Sequence, residues 1–589
     1  MAGFPACPRA DRLACNITAI RSNSQTFTSN NCKAEIQSNA RAGAARTLID
    51  RMPLAAFKSR GNASRTGTAG QRSVRPFGYK SAVVLSALLA AFILLQSLLP
   101  LRTAIQIGGD EGFALAKATL CLKGFKLYTE VWNDQPPLHT FLLTQILKHI
   151  GPSILGPRIL TVAFAAILLT AVFLMALRVN GLLVAATATA LVIASPGFLE
   201  LSSSCMVEIP ALAPTIVALC LLLASRPNRW PIAEIVSGVL FGVALQTKFN
   251  AAIYLPLAGF IVWLRDRKAP SLNTERASLL RREEKFVEGR TMDSAKFVPS
   301  FGASSLAQSL ALFAASVVLG FFAVGYVVGE TAYLLEFKQA WSAHVASAKS
   351  FEYGSPEDRP FDWTILLKNW DATIPALVGI VASLRRIRTD FDAIIPSAWL
   401  TLTFVVFATH RPWWSYYYIH DAIPLCWCAA IGFATVAQRV NPRRSPALFA
   451  VLVGFALCAL PWVGSRLYLQ VSGIRNSPQT YSSLVLTEVE RFKPFTQFMY
   501  TDQRVYSFHT GIPIPPKLAV LSLKRLWSGD LTNEKIAGEL ASIKPGLILL
   551  ANDSRALPFD DLLRSEYRLV YQDNQLRLYA QKAVIAQAN

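Results

Sequence analysis

The stretch SAVVLSALLAAFILLQSLLP at residues 81–100, with Gly108-Gly109-Asp110-Glu111 soon after it, decides the fold class. The run is uncharged and has the ~20 residues a helix needs to cross the hydrocarbon of a bilayer. Lys and Arg stay on the cytoplasmic side, so the basic tail before Ser81 is placed inside and Asp110-Glu111 outside. An acid pair just beyond a membrane helix is costly unless it faces water or a polar cavity, which makes it a candidate site. A solvated pair in an ordinary loop is the plainer alternative.

Working outward, the whole chain has this character. Of 589 residues, 52% are hydrophobic and only 16% charged, and the mean hydropathy is +0.36. That composition belongs to a polytopic α-helical membrane protein rather than a soluble domain. The net charge of +21 gathers in the tail and in alternate loops, as orientation requires, which argues against a nucleic-acid partner. The 9 cysteines show no metal spacing; Cys220, Cys426, Cys428 and Cys458 lie in apolar runs as packing residues. Cys121 and Cys205 both fall on the outer side, which leaves a disulfide open.

Residues 1–80 read as a disordered basic tail, rich in Ser, Asn, Arg and Ala and without apolar periodicity. A transit peptide or a true start at Met52 fits the same composition. The membrane domain is expected over 81–470, with about eleven spans by the length criterion. The predicted inside turns carry arginines: Arg178, Arg226 and Arg229, Arg265 to Lys268, Arg385 to Arg388, and Arg439 to Arg444. The 6 histidines (His139, His149, His344, His410, His420, His509) all fall in segments assigned outside. A charged insertion from Arg265 to Lys296 is an inside loop, and the outer loop after the seventh span carries His344, Lys349, Glu352 and Glu357.

Residues 101–157 form the first external loop with surface helices. Phe113 to Gly124 reads as a short helix ended by glycine, and Tyr128 and Trp132 as membrane-interface aromatics. Pro136-Pro137 stiffens entry into Leu138 to Ile150, an amphipathic stretch lying along the membrane surface. Residues 471–589 change character. Phe498 to Tyr500 and Leu547 to Leu550 read as buried strands, Asn533 to Ile543 as a helix, and Tyr567 to Tyr571 with Gln575 to Tyr579 as a hairpin about Asp573-Asn574. This is a small extracytoplasmic α/β domain with a supporting or acceptor-docking role.

Asp110-Glu111, Gly124, Tyr128 and the Pro136-Pro137-Leu138 turn, followed by Arg158 at the next span, resemble the first external loop of the GT-C glycosyltransferases. The pattern is similar to the protein O-mannosyltransferases and the lipid A aminoarabinose transferase, glycosyltransferase families 39 and 83. The resemblance implies an integral-membrane enzyme that moves a monosaccharide, with inversion, from a polyprenyl-phosphate carrier to a lipid, glycan or protein acceptor. It places the protein in the bacterial inner membrane among its lipids, N-terminus cytoplasmic and C-terminus extracytoplasmic. A secondary transporter would want mid-membrane acids and repeated halves, and a non-catalytic envelope scaffold would use the outer domain alone; both stand as rivals.

Such a reaction needs a base for an acceptor hydroxyl and cations for the departing phosphate. By resemblance Asp110 is the base, with Glu111 beside it. Lys248, between two apolar spans, either snorkels or binds an anion; the resemblance favours the carrier phosphate. Arg158 anchors a helix end or binds phosphate. The outer stretch Arg411 to Asp421 is explained in part by an aromatic belt, which leaves Arg411 as a phosphate candidate and His420 as a polar contact. Asp134 and Glu208 are further candidate acids, with Tyr128 and Pro137 shaping the loop. Where the aminoarabinose group carries Glu-Lys before its prolines, this chain has Asp134-Gln135, which weakens a phosphate role there and puts that substrate in doubt. No cofactor is required by the pattern; a divalent metal held by Asp110, Glu111 and Asp134 stays open.

Overall fold

The computed structural model describes residues 78–102, 109–225, 231–267, 306–329, 341–342, 345–346, 358–440, 443, 445–476, 483–552 and 559–589. The basic tail up to Phe77, Gly108, Arg226 and Arg229, nearly all of the charged insertion, and His344, Lys349, Glu352 and Glu357 lie outside the described residues.

The protein is a polytopic α-helical membrane protein. Each apolar segment is helical: α1 (Tyr79–Ser97), α4 (Leu155–Asn180), α5 (Leu182–Ile193), α7 (Glu208–Ala224), α8 (Ile232–Thr247), α9 (Leu255–Arg267), α10 (Leu306–Gly329), α11 (Trp370–Arg386), α12 (Ile395–Thr409), α13 (Tyr418–Arg439) and α14 (Pro446–Arg475). Between them lie α2 (Asp110–Leu122), α3 (Leu138–Ile150) and the short α6 (Phe198–Ser202). Among the described residues, 6 helical segments are long and apolar enough to cross a membrane, and α5, α7, α8 and the segment containing α9 are shorter apolar helices. The third expected span, Leu182 to Leu199, is interrupted. Pro196 has no N–H to give a helix, and Gly197 adopts φ 76°, so α5 stops at Ile193 and α6 starts anew.

With lipid on one side and protein on the other, helices gain nothing from water exclusion, so close approach depends on small residues. Gly379 of α11 meets α13 in this way: a methyl built there would overlap the Cys428 carbonyl oxygen, and one at Gly432 would overlap that of Pro375. Gly432→Val is therefore expected to destabilise the bundle by about 1–3 kcal/mol through overpacking, read as a lower melting temperature in detergent.

The C-terminal residues form a four-stranded sheet in the order β1-β2-β4-β3, with β1 (Met499–Thr501), β2 (Leu547–Ala551), β3 (Tyr567–Gln572) and β4 (Leu576–Gln581). β1 and β2 are parallel, and β4 runs antiparallel to both β2 and β3. The helices here include α15 (Ser483–Phe492), α16 (Arg504–Thr510), α17 (Leu523–Trp527) and α18 (Asn533–Ile543). One sheet face shares a hydrophobic core with the first loop, where Ala116, Leu120, Val131 and Trp132 pack with Tyr500, Ile548, Leu550 and Phe559.

That shared core corrects two expectations. Trp132 is buried inside it rather than standing at a lipid interface, and Tyr128 is likewise buried. The Tyr128 backbone sits at φ 74°, unusual for a side chain of its size, and its hydroxyl donates to the Gln135 carbonyl at 2.7 Å. An aromatic ring satisfies an apolar core as well as a membrane interface, so composition alone does not separate the two. Cys121 and Cys205 are both free thiols; Cys205 packs against Ala114, Leu115 and Phe508.

Candidate functional site

Asp110 and Glu111 open α2, after Gly109 in a left-handed conformation (φ 86°). The first turn of a helix presents unpaired N–H groups, which favours acids there. One helical step separates the two residues, about 100° of rotation, and it sends the carboxylates to different fates.

Glu111 turns inward and is fully buried. Its oxygens accept from Arg158 Nε and Nη2, both at 2.9 Å, and Oε1 also accepts from the Cys205 backbone N–H at 3.0 Å. Arg158 is itself wholly buried and donates through Nη1 to the Leu101 carbonyl at 3.0 Å. The pair ties the ends of α1, α2, α4 and the approach to α7 into one point. Arg158 was a phosphate candidate in the sequence; here its guanidinium is engaged by Glu111 and shut off from solvent.

Asp110 is half-buried. Burial first, then the Glu208 and Asp134 charges, push its carboxyl up to about 6 against the pull of Lys248 and Lys524. Those four residues are the charged groups around Asp110. Glu208, at the start of α7, is 2% exposed and accepts a hydrogen bond from the Lys248 ammonium. Its other oxygen, Oε2, has no hydrogen-bond partner among the described residues. Lys248 lies in extended backbone just past α8, under the rings of Tyr416 and Tyr417 at 5.5 and 5.4 Å. Burial alone would pull its ammonium down, but Glu208 and Tyr417 outweigh it and hold it above the usual lysine range.

Pro137 caps α3 and so places His139 in its first turn, buried, with Nε2 unpartnered among the described residues. Burial, with the charges of Lys117 and Lys248, pushes that imidazole down to about 3, so it is neutral. Asp134 accepts from the Gln135 side-chain amide at 3.1 Å and from Lys524 at 2.9 Å.

The other predicted residues lie apart. Arg411 donates from Nη1 to both carboxylate oxygens of Asp358, at 3.1 and 2.9 Å. His420 is buried; its Nδ1 meets the Tyr254 hydroxyl at 2.7 Å, and its ring stacks on Phe407 at 4.5 Å, a layer below Tyr417. Asp110, Glu111 and Asp134 do not converge as a metal set, since Glu111 points to Arg158. Among the described residues no group of three or more His, Cys, Asp or Glu is placed to hold a metal ion.

Sequence reasoning missed Lys117, Tyr416, Tyr417 and Lys524 as residues of this cluster. Lys117 had a signal: it stands alone in the apolar face of α2, two turns from Asp110, and donates to Asn133 Oδ1 at 2.8 Å. Lys524 had none.

Residues 134–279 match the family model described as dolichyl-phosphate-mannose-protein mannosyltransferase. Apo ArnT from Cupriavidus metallidurans aligns at TM-score 0.56 and 14% identity, over 86% of this chain and 98% of that one. The same enzyme bound to undecaprenyl phosphate aligns at TM-score 0.53 and 13% identity, over 85% and 98%. The chain has the GT-C fold. The oligosaccharyltransferase AglB from Archaeoglobus fulgidus, in complex with an inhibitory peptide and a dolichol-phosphate, aligns at TM-score 0.51 and 11% identity, over 80% of this chain and 69% of that one. No curated protein matches by sequence.

Proposed function

We propose that this GT-C protein is a membrane glycosyltransferase that transfers a monosaccharide, with inversion, from a polyprenyl-phosphate carrier to an extracytoplasmic lipid, glycan or protein acceptor. One observation carries the reading: a half-buried carboxyl with a pKa near 6 stands in the field of a buried lysine held by Glu208 and two tyrosine rings. A base and a phosphate cation are what this chemistry asks for. The undecaprenyl phosphate bound by ArnT and the dolichol-phosphate bound by AglB support a lipid-phosphate donor.

In this scheme Asp110 takes the proton from the acceptor hydroxyl as its oxygen attacks the anomeric carbon. The bond from that carbon to the phosphate oxygen breaks on the opposite face, and its electron pair leaves with the carrier phosphate near Lys248. No strong acid is needed, since the leaving group is already a weak base. Glu111 and Arg158 position the loop rather than touch substrate. Arg411 and His420 lie outside the reacting centre. The basic turns favour an orientation with the N-terminus cytoplasmic and Asp110 outside, in what we take to be a bacterial inner membrane.

Mass spectrometry of envelope glycans and lipid-linked sugars in a deletion strain tests the reading. Accumulation of one charged polyprenyl-phosphate sugar, with that sugar missing from one envelope component, is expected. Unchanged pools of both would overturn it.

A further inference from the structure

The charged cluster around Asp110 is built from two sides. The membrane helices supply Lys248 and Glu208, and the first loop supplies Asp110 and Asp134. A third contribution comes from the C-terminal unit: Lys524, on α17, reaches Asp134 at 2.9 Å across 390 residues of sequence. Its charge is felt by Asp110, Lys117 and His410. The contact is braced on both flanks, since the next residue, Arg525, lies 5.0 Å over the Trp132 ring, and Arg504 lies 4.2 Å over Phe113.

We propose that Lys524 is a phosphate-binding residue of this cluster, so that the C-terminal unit completes the substrate site rather than merely supporting it. This rests on the function proposed above. Lys248 is enclosed, its side chain 10% exposed and already bonded to Glu208. Lys524 is 34% exposed, so its side chain is open to solvent where that of Lys248 is enclosed. Asp134 does not become an isolated buried charge when the ammonium turns to a ligand. It keeps the Gln135 amide at 3.1 Å and the field of Lys117, which limits the cost of the exchange. The phosphate belongs either to the polyprenyl carrier or to a phosphorylated acceptor.

The test uses the full chain in detergent, with undecaprenyl phosphate and phosphatidic acid as separate probes. Lys524→Ala is expected to weaken one of them by about ten- to hundredfold, the worth of a charge-assisted hydrogen bond, and Lys524→Arg to restore much of it. Weakening toward undecaprenyl phosphate assigns the donor, and weakening toward phosphatidic acid the acceptor. Asp134→Asn cuts the same ion pair but keeps the cation. If it weakens binding as much as Lys524→Ala, or if Lys524→Ala binds both probes like wild type, Lys524 is a structural tie and the inference falls while the glycosyltransferase reading stands. If wild type binds neither probe, both fall. Lys517→Ala, which removes an exposed lysine paired with Glu539 in the same unit, should change neither affinity.

Discussion

Asp110→Asn is expected to lower sugar transfer by about 10²–10⁴-fold, the usual worth of a positioned general base, while the protein stays folded. The pH dependence follows from the same group. Its carboxyl is raised from 3.8 to about 6, and only the ionised form accepts a proton. Transfer should therefore be flat well above pH 6 and fall roughly tenfold per pH unit below it, with that limb absent in the residual activity of Asp110→Asn.

Stability should move the other way. A raised carboxyl pKa means the fold disfavours the ionised form, so the penalty builds as pH rises from about 3.8 to about 6 and is full above that. Below the ordinary carboxylate range Asp110 is protonated whether folded or unfolded, and the effect vanishes. Asp110→Asn removes the ionisation, so its melting temperature should equal or exceed wild type at pH 8 and match it at pH 3.5. A lost activity accompanied by a lower melting temperature at pH 8 would mean that Asp110 holds structure rather than protons.

How much of this was legible from residues alone varies by element. The helix Leu138–Ile150 and the C-terminal Asn533–Ile543 could be read to the residue, because amphipathic period and flanking prolines or polar residues leave little freedom. The hairpin β3–β4 was legible from its alternation about Asp573-Asn574. Burial was not: Tyr128 and Trp132 carry the same aromatic chemistry whether they face lipid or a shared core, and only the docking of the C-terminal unit decides. Charge pairing was equally hidden. Arg158 and Arg411 each looked like a cation in want of an anion, and each has one in Glu111 and Asp358. A sequence shows a charge but not its partner, and Lys524 meeting Asp134 has no local pattern at all.

The Glu111–Arg158 pair should produce the largest loss of stability. Both side chains are fully buried, so removing one leaves a charge in a medium that cannot solvate it. Arg158→Ala or Glu111→Gln is expected to destabilise the protein by about 3–5 kcal/mol, seen as a large drop in melting temperature and in the yield of folded protein from membranes. Glu111→Gln is the sharper variant, because it keeps volume and one acceptor oxygen while it removes the charge and turns the other acceptor into a donor facing Arg158. If Glu111 acted on substrate, its loss would appear as slow transfer by a normally stable protein. As a positioning residue it should instead lower the amount of folded protein, with transfer per folded molecule falling far less than in Asp110→Asn. The double variant Glu111→Leu with Arg158→Leu leaves no lone charge and should recover part of the stability. Recovery stays incomplete, because the Cys205 N–H and the Leu101 carbonyl lose the partners that the pair supplies.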